Sequence, residues 1–172
     1  PYMGGKGMNG DLKEFAKKQF PDSKSDLFAM FIERGFNWLK DGAFNSMVTM
    51  QSWMFLSSYE NMRANILDKF TIETMVHMGN GVMKIAFGTN ATVFRNIYIP
   101  SYQGSFSYAE NDDINDKGIP KEFPVSNERL KTAAADDFKK IPGTPIAYWM
   151  SESMRAIYDK YMPLKNIGDT RQ

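Results

Sequence analysis

Few residues in this sequence have the type and spacing to do chemistry, and most stand alone. Pro1-Tyr2 opens the chain and runs into Met3-Gly4-Gly5-Lys6-Gly7. A free Pro1 would offer a secondary amine as base or nucleophile. Gly4-Gly5-Lys6-Gly7 resembles a phosphate-cradling loop, but its spacing is wrong, no Ser or Thr follows Lys6, and no strand precedes it. A flexible or substrate-shaping loop is the expectation. His77 is the only histidine and there is no cysteine, so a metal site would need a carboxylate cluster that the sequence does not show. It reads as a packed or surface residue, and no metal is expected. Asp113 begins a calcium-like loop, yet the fifth position is Lys117 and the twelfth is Pro124, which leaves a solvated turn. Asn90-Ala91-Thr92 fits a glycosylation acceptor, which carries no meaning inside a cell.

The elements that must position these groups follow from periodicity. Gly4, Gly5, Gly7 and Gly10 mark Tyr2 to Gly10 as a loop. Leu12, Phe15 and Ala16 share one face of a short helix over 11–20, stopped by Pro21. Ser25 is the expected cap of a second helix over 26–40, with Phe28, Phe31 and Ile32 at helical spacing and Gly42 beyond. Phe44 to Met50 alternates as a strand. Ser57-Ser58-Tyr59-Glu60 has capping-box spacing for a helix through Asp68, with Met62, Ile66 and Leu67 inward. Thr71 to Met78 is expected as a strand with Ile72, Thr74, Val76 and Met78 on one face. Thr89 to Ile99 is another, dense in β-branched and aromatic residues. Beyond it, Ser105 to Tyr108 is a short strand, Glu128 to Thr132 a brief helix after Ser126 or Asn127, and Pro142-Gly143-Thr144-Pro145 a rigid turn. A last helix capped by Ser151 carries Met154, Ile157, Tyr158 and Tyr161 as a stripe and ends at Pro163.

Strand, helix, strand forms one βαβ crossover, and the helix-free connection 79–88 predicts that the third strand returns antiparallel as a hairpin at the sheet edge. The chain is thus α/β, but the first βαβ unit with its glycine-rich cofactor turn is missing. The 172 residues carry 42% apolar and 24% charged residues with a net charge of +1. That composition excludes disorder as the dominant state and predicts no strong pull on polyanions. Mean hydropathy is −0.45 and no apolar run reaches the roughly 18 residues of a membrane span. The absence of cysteine points to a reducing cytoplasm.

Pro1-Tyr2, the helix Ser25-Asp26-Leu27-Phe28-Ala29-Met30-Phe31-Ile32-Glu33-Arg34, and the stretches Met50-Gln51-Ser52-Trp53-Met54-Phe55-Leu56-Ser57-Ser58-Tyr59-Glu60 and Asp136 to Trp149 together resemble one family. They are similar to the PglX-type adenine methyltransferases of bacterial phage-exclusion (BREX) systems, with Pro1-Tyr2 as the second half of the Asn-Pro-Pro-Tyr motif of amino-directed DNA methyltransferases. The resemblance covers nearly the whole chain. It implies the carboxyl-terminal half of a Rossmann-like, S-adenosylmethionine-dependent methyltransferase domain over 1–100. An irregular α-containing extension over 101–172 would bridge toward a target-recognition domain. The Asn and first proline are expected immediately before residue 1, which makes this chain a piece of a longer protein and the piece alone inactive.

The resemblance also implies roles. An adenine amino group is a poor nucleophile because its lone pair is delocalised, and the motif's Asn side chain and a proline carbonyl accept its hydrogens. Pro1 and Tyr2 are the implied catalytic pair, with Tyr2 stacking on an adenine flipped out of double-stranded DNA. Phe87 is implied as a second contact to the flipped base, and Phe31 as a contact to the adenine of S-adenosylmethionine. Plain core packing stays open for both. Partners would be duplex DNA and other phage-defence subunits, with no membrane. Two other readings remain: a non-catalytic DNA- or partner-binding module that keeps the fold, and an amino-terminal-proline tautomerase, whose chains begin with the catalytic strand rather than a glycine loop.

Overall fold

The computed structural model describes residues 2–122, 128–162 and 168. Helix α1, Gly10–Gln19, starts where the Asn9 side chain accepts from the Leu12 amide at 2.9 Å. Helix α2, Leu27–Trp38, is capped by Asp26 rather than Ser25. The reason is a double duty: Asp26 Oδ1 accepts from the Phe28 amide at 3.3 Å and the Met3 amide at 3.1 Å. One carboxylate oxygen therefore closes the helix and ties down the amino-terminal loop. Helix α3, Glu60–Lys69, follows 3-10 turns at Gln51–Met54 and Ser57–Tyr59. Ser57 begins the second of these turns instead of capping the helix, and Tyr59 is the flanking residue. Met62, Ile66 and Leu67 point inward as expected.

Five strands form one sheet in the order β1-β3-β2-β4-β5: β1 is Phe44–Met50, β2 Thr71–Met78, β3 Thr89–Arg95, β4 Gly104–Ala109 and β5 Lys131–Ala133. Strand β3 is antiparallel to both β1 and β2, so those two run parallel, as the crossover requires. The expected position at the sheet edge is wrong. The crossover through α3 leaves a one-strand gap between β1 and β2, and β3 fills it, so both its edges are paired. Its β-branched and aromatic residues suit that central place. Strand β4 lies parallel to β2, and the sheet continues past residue 100. Segment 131–133 is a strand rather than part of a helix, because the open edge of β4 supplies its backbone partners from Gly104 to Phe106.

The register of β2 slips between Ile72 and Thr74. A bulge reverses side-chain parity. Ile72 consequently joins the main core with Met75, whereas Val76 and Met78 belong to a small cluster with Val82 and Ala109 on the opposite face. The expected single face of Ile72, Thr74, Val76 and Met78 is therefore split. The main core gathers Phe28, Ile32 and Phe36 of α2, Trp53 and Met54, the inward face of α3, Phe94, Phe106, and the later residues Phe138, Ile146 and Tyr148. Gly35 lets α2 sit close on β1, since a Cβ there would lie 2.5 Å from Asn45 Nδ2, which donates to the Ile32 carbonyl.

The residues after β5 are fastened to this core from within. Arg63 of α3 is 1% exposed. Its guanidinium donates to the carbonyls of Trp53 at 2.9 Å, Leu56 at 2.6 Å, Gly143 at 2.6 Å and Thr144 at 3.2 Å. Gly143 and Thr144 both take positive φ, 77° and 47°, and so form the turn expected there. Short helix α4, Ala135–Lys139, brings Phe138 into the core. Helix α5, Glu152–Lys160, is capped by Ser151 as expected, but Met154, Ile157, Tyr158 and Tyr161 stay exposed. The expected stop at Pro163 and the caps at Ser126 or Asn127 lie outside the described residues.

Candidate functional site

Tyr2 is positioned by local backbone geometry. The adjoining segment lies against the start of α2: the Gly5 amide donates to the Ser25 carbonyl at 3.0 Å, and the Leu27 amide to the Met3 carbonyl at 3.2 Å. The Tyr2 hydroxyl donates to the Val48 carbonyl of β1 at 3.0 Å. Its ring stands against Phe28, 6.3 Å between centroids, and yet Tyr2 remains 53% exposed. A ring fixed at its hydroxyl and along one side, with much of its surface open, can receive a flat partner.

Phe87 comes to the same place from the other direction. The connection from β2 to β3 passes through the left-handed region at Gly81, Met83 and Lys84, with φ of 90°, 55° and 59°. It ends at Gly88, whose carbonyl accepts from the Gln51 amide at 3.0 Å. A Cβ on Gly88 would fall 2.3 Å from the Gln51 side-chain amide, which would have to move aside and leave His77. Phe87 is 43% exposed and outside the core, and its ring lies 6.5 Å from Tyr2 at an interplanar angle of 64°. The two rings meet edge to face, and each keeps an exposed side.

Phe31 is not core either. It is 40% exposed and lines an apolar groove of about 330 Å³ between α1 and α2 with Leu12, Phe15, Leu27, Met30 and Trp38. Arg34 stacks over Trp38 at 4.9 Å. A flat aromatic ring fits this groove, and Arg34 lines it as a cation able to pair with a carboxylate. Pro1 lies outside the described residues.

One group of residues went unread in the sequence. His77 Nδ1 is 3.0 Å from the Tyr148 hydroxyl and Nε2 is 2.5 Å from Gln51 Oε1. Gln51 Oε1 can only accept, so Nε2 carries the ring proton and Nδ1 accepts from Tyr148. Burial holds the His77 pKa down at about 4 and pushes the Tyr148 phenol up, so both are neutral near pH 7. The sole histidine is therefore a satisfied, partly buried residue linking Gln51, beside Gly88, to the extension. Asn90 of the acceptor pattern is fully buried, accepting from Thr49, Trp53 and Thr92, and no sugar can reach it. Only long-range pairing brings Gln51, His77 and Tyr148 together; their sequence positions carry no signal of it.

Comparison with known proteins agrees with this architecture. The family model of the Eco57I restriction-modification methylase matches residues 1–83. The adenine-specific methyltransferase BrxX of Escherichia coli O9:H4 (strain HS) is 47% identical over 98% of this chain and 14% of its own length. The adenine-specific methyltransferase PglX of Lacticaseibacillus casei (strain Zhang) is 33% identical over 100% of this chain and 15% of its length. The chain thus spans only about a seventh of these relatives. Among solved structures, the type IIG restriction endonuclease BpuSI superposes over 91% of this chain and 21% of its own, with a TM-score of 0.60 at 12% identity. A structure of a type I restriction-modification system covers 83% of this chain and 37% of that one, with a TM-score of 0.53 at 15% identity. At such identities these two speak for the fold alone. In sequence, across its length, the chain matches a segment of the PglX-type adenine-specific methyltransferases, the family its motifs resemble.

Proposed function

We propose that the protein carrying this chain transfers a methyl group from S-adenosylmethionine to the exocyclic amino nitrogen of an adenine flipped out of duplex DNA, as part of phage defence. The adenine nitrogen forms the new N–C bond with its lone pair as the donor's S–C bond breaks, and it loses one proton. When bound, the cofactor supplies the electrophilic methyl group. Tyr2 stacks on the extruded base, Phe87 meets it edge-on, and a proline carbonyl of the motif accepts from its amino group. Phe31 borders the cofactor's adenine. The catalytic half-domain runs past residue 100 through β4 and β5, which share its sheet and core, and the residues after them bridge toward target recognition.

The observation that carries this reading is the Tyr2–Phe87 pair, 6.5 Å apart at 64° and both exposed. Stacking on one aromatic ring contributes about 1–3 kcal/mol, a useful share of the few kcal/mol that unstacking a base costs. Similarity to methyltransferases over 98% of the chain favours this over chemistry at an amino-terminal proline. The test is Tyr2→Ala in the intact protein, with methylation read by adenine modification of host DNA. Turnover should fall roughly 5- to 150-fold with the thermal midpoint nearly unchanged. Undiminished turnover would refute the stacking role.

A further inference from the structure

A second aromatic opening lies on the same rim of the sheet. His77, Tyr108, Tyr148 and Trp149 wall a cleft of about 270 Å³, with Glu128, Arg129 and Lys131 at its margin. Tyr108 stands 4.9 Å from the His77 ring and Trp149 6.3 Å, while Tyr148 stacks on the buried Phe106 at 4.9 Å. Trp149 is 53% exposed although it sits among three other rings. The volume suits one planar ring system rather than a larger organic ligand.

Three observations decide what would enter. First, the polar atoms of the floor are spent on one another: both His77 nitrogens are engaged, by Gln51 and Tyr148. The floor can hold a flat ring by its faces and offers its edges no free His77 nitrogen. Second, the margin is mixed in charge, and Lys131 is its cation outside an ion pair among the described residues. Arg129 leans over Tyr108 at 5.8 Å while pairing with Glu110 and Asp113, and Glu128 lines the same edge. The Lys131 ammonium beside aromatic walls suits a ring that carries phosphate. Third, the cleft adjoins the Tyr2–Phe87 opening. Val48, Ala91, Val76 and Ser107 are in register across β1, β3, β2 and β4, which puts Tyr108 three strand spacings, about 14 Å, from the strand that anchors Tyr2. Both openings lie at the carboxyl ends of the parallel strands, and both rest on the same core, through Phe28 and Tyr148.

We propose that this cleft is a second base-stacking site, taking a nucleotide of the DNA within about four base steps of the flipped adenine and holding it without regard to its identity. The inference rests on the methyl-transfer reading above and assigns a further DNA contact to it. Gln51 couples the two openings, because it binds Gly88 behind Phe87 and His77 in the cleft floor.

The test uses the intact methyltransferase without methyl donor, bound to substrate duplexes in which single thymines near the target are replaced by 5-iodouracil. Near-ultraviolet irradiation links that base to stacked aromatic side chains, and mass spectrometry locates the link. A crosslink to Tyr108, Tyr148 or Trp149 is expected from a position within about four steps of the target. Trp149→Leu and Tyr108→Leu should each weaken DNA binding roughly 5- to 150-fold, with Trp149→Phe restoring most of it. Lys131→Ala should lower the slope of log affinity against log salt by about one. Wild-type affinity in both leucine variants, with no crosslink to these residues, overturns the proposal. A loss that Trp149→Phe does not restore marks a structural role and also overturns it. Because affinity and crosslinking are read without methyl transfer, undiminished turnover in Tyr2→Ala is a separate result that sinks the earlier reading.

Discussion

Tyr2 owes its openness to two constraints acting on one side of the ring. Its hydroxyl is held by the Val48 carbonyl and its lower side by Phe28, so the exposed part needs no rearrangement before use. Tyr2→Phe keeps the ring and removes only the anchor. A single net hydrogen bond contributes about 1 kcal/mol, so turnover should drop about fivefold, far less than in Tyr2→Ala. Steady-state methylation of the two variants side by side checks this. His77 makes a different residue-scale statement. Its pKa is near 4 in the folded chain against 6.5 unfolded, so between those values the unfolded chain binds the extra proton. Stability is therefore full above about pH 6.5 and is lost as pH falls toward 4, by about 2 kcal/mol after allowing for the partly solvated ring. Denaturant unfolding at pH 7 and pH 4.5 should show this decline, and His77→Gln should flatten it.

At the scale of elements, the site depends on connections more than on helices and strands. The Tyr2 loop hangs on Asp26 at the start of α2, and the Phe87 loop closes through Gly88 on Gln51. The extension hangs on Arg63, whose guanidinium has taken the place of water for four carbonyls. Arg63→Ala would leave those acceptors buried and unpaired, so a loss of about 3–5 kcal/mol is expected. Arg63→Lys should recover little, because one ammonium cannot span the fork. Hydrogen exchange should rise first at the amides of Thr144 and Ile146, which now donate to Ile141 and Met54. Periodicity showed α1, α2, α3 and strands β1 to β4 to within a few residues, but pointed to helix where β5 begins. It could not show the bulge in β2 or the insertion of β3, since both depend on which strands meet rather than on any one strand's pattern.

Across the whole molecule, one face of the sheet is covered and the other is partly bare. Phe44 and Val48 of β1 are exposed, β1 is an edge strand of the sheet, and Phe15, Phe31 and Trp38 are exposed along α1 and α2. Exposed apolar surface next to an open strand edge promotes association. The 172-residue chain by itself should therefore associate as its concentration rises, as read by sedimentation velocity. Val48→Lys should reduce that association without lowering the unfolding midpoint, because Val48 contributes little to the core. Among the described residues no helix is long and apolar enough to cross a membrane.

What the sequence by itself determined was local order and a family resemblance. Helical and alternating periodicities are written in neighbouring residues, and Pro1-Tyr2 with the long segments behind it carries the methyltransferase resemblance. The tertiary structure alone decided that Phe31 and Phe87 are exposed rather than core. It also brought Phe87 against Tyr2, and joined Gln51, His77 and Tyr148 through one imidazole. An apolar side chain has the same periodicity whether its face is covered or bare. Only the packing of distant elements removes it from water or leaves it for a ligand.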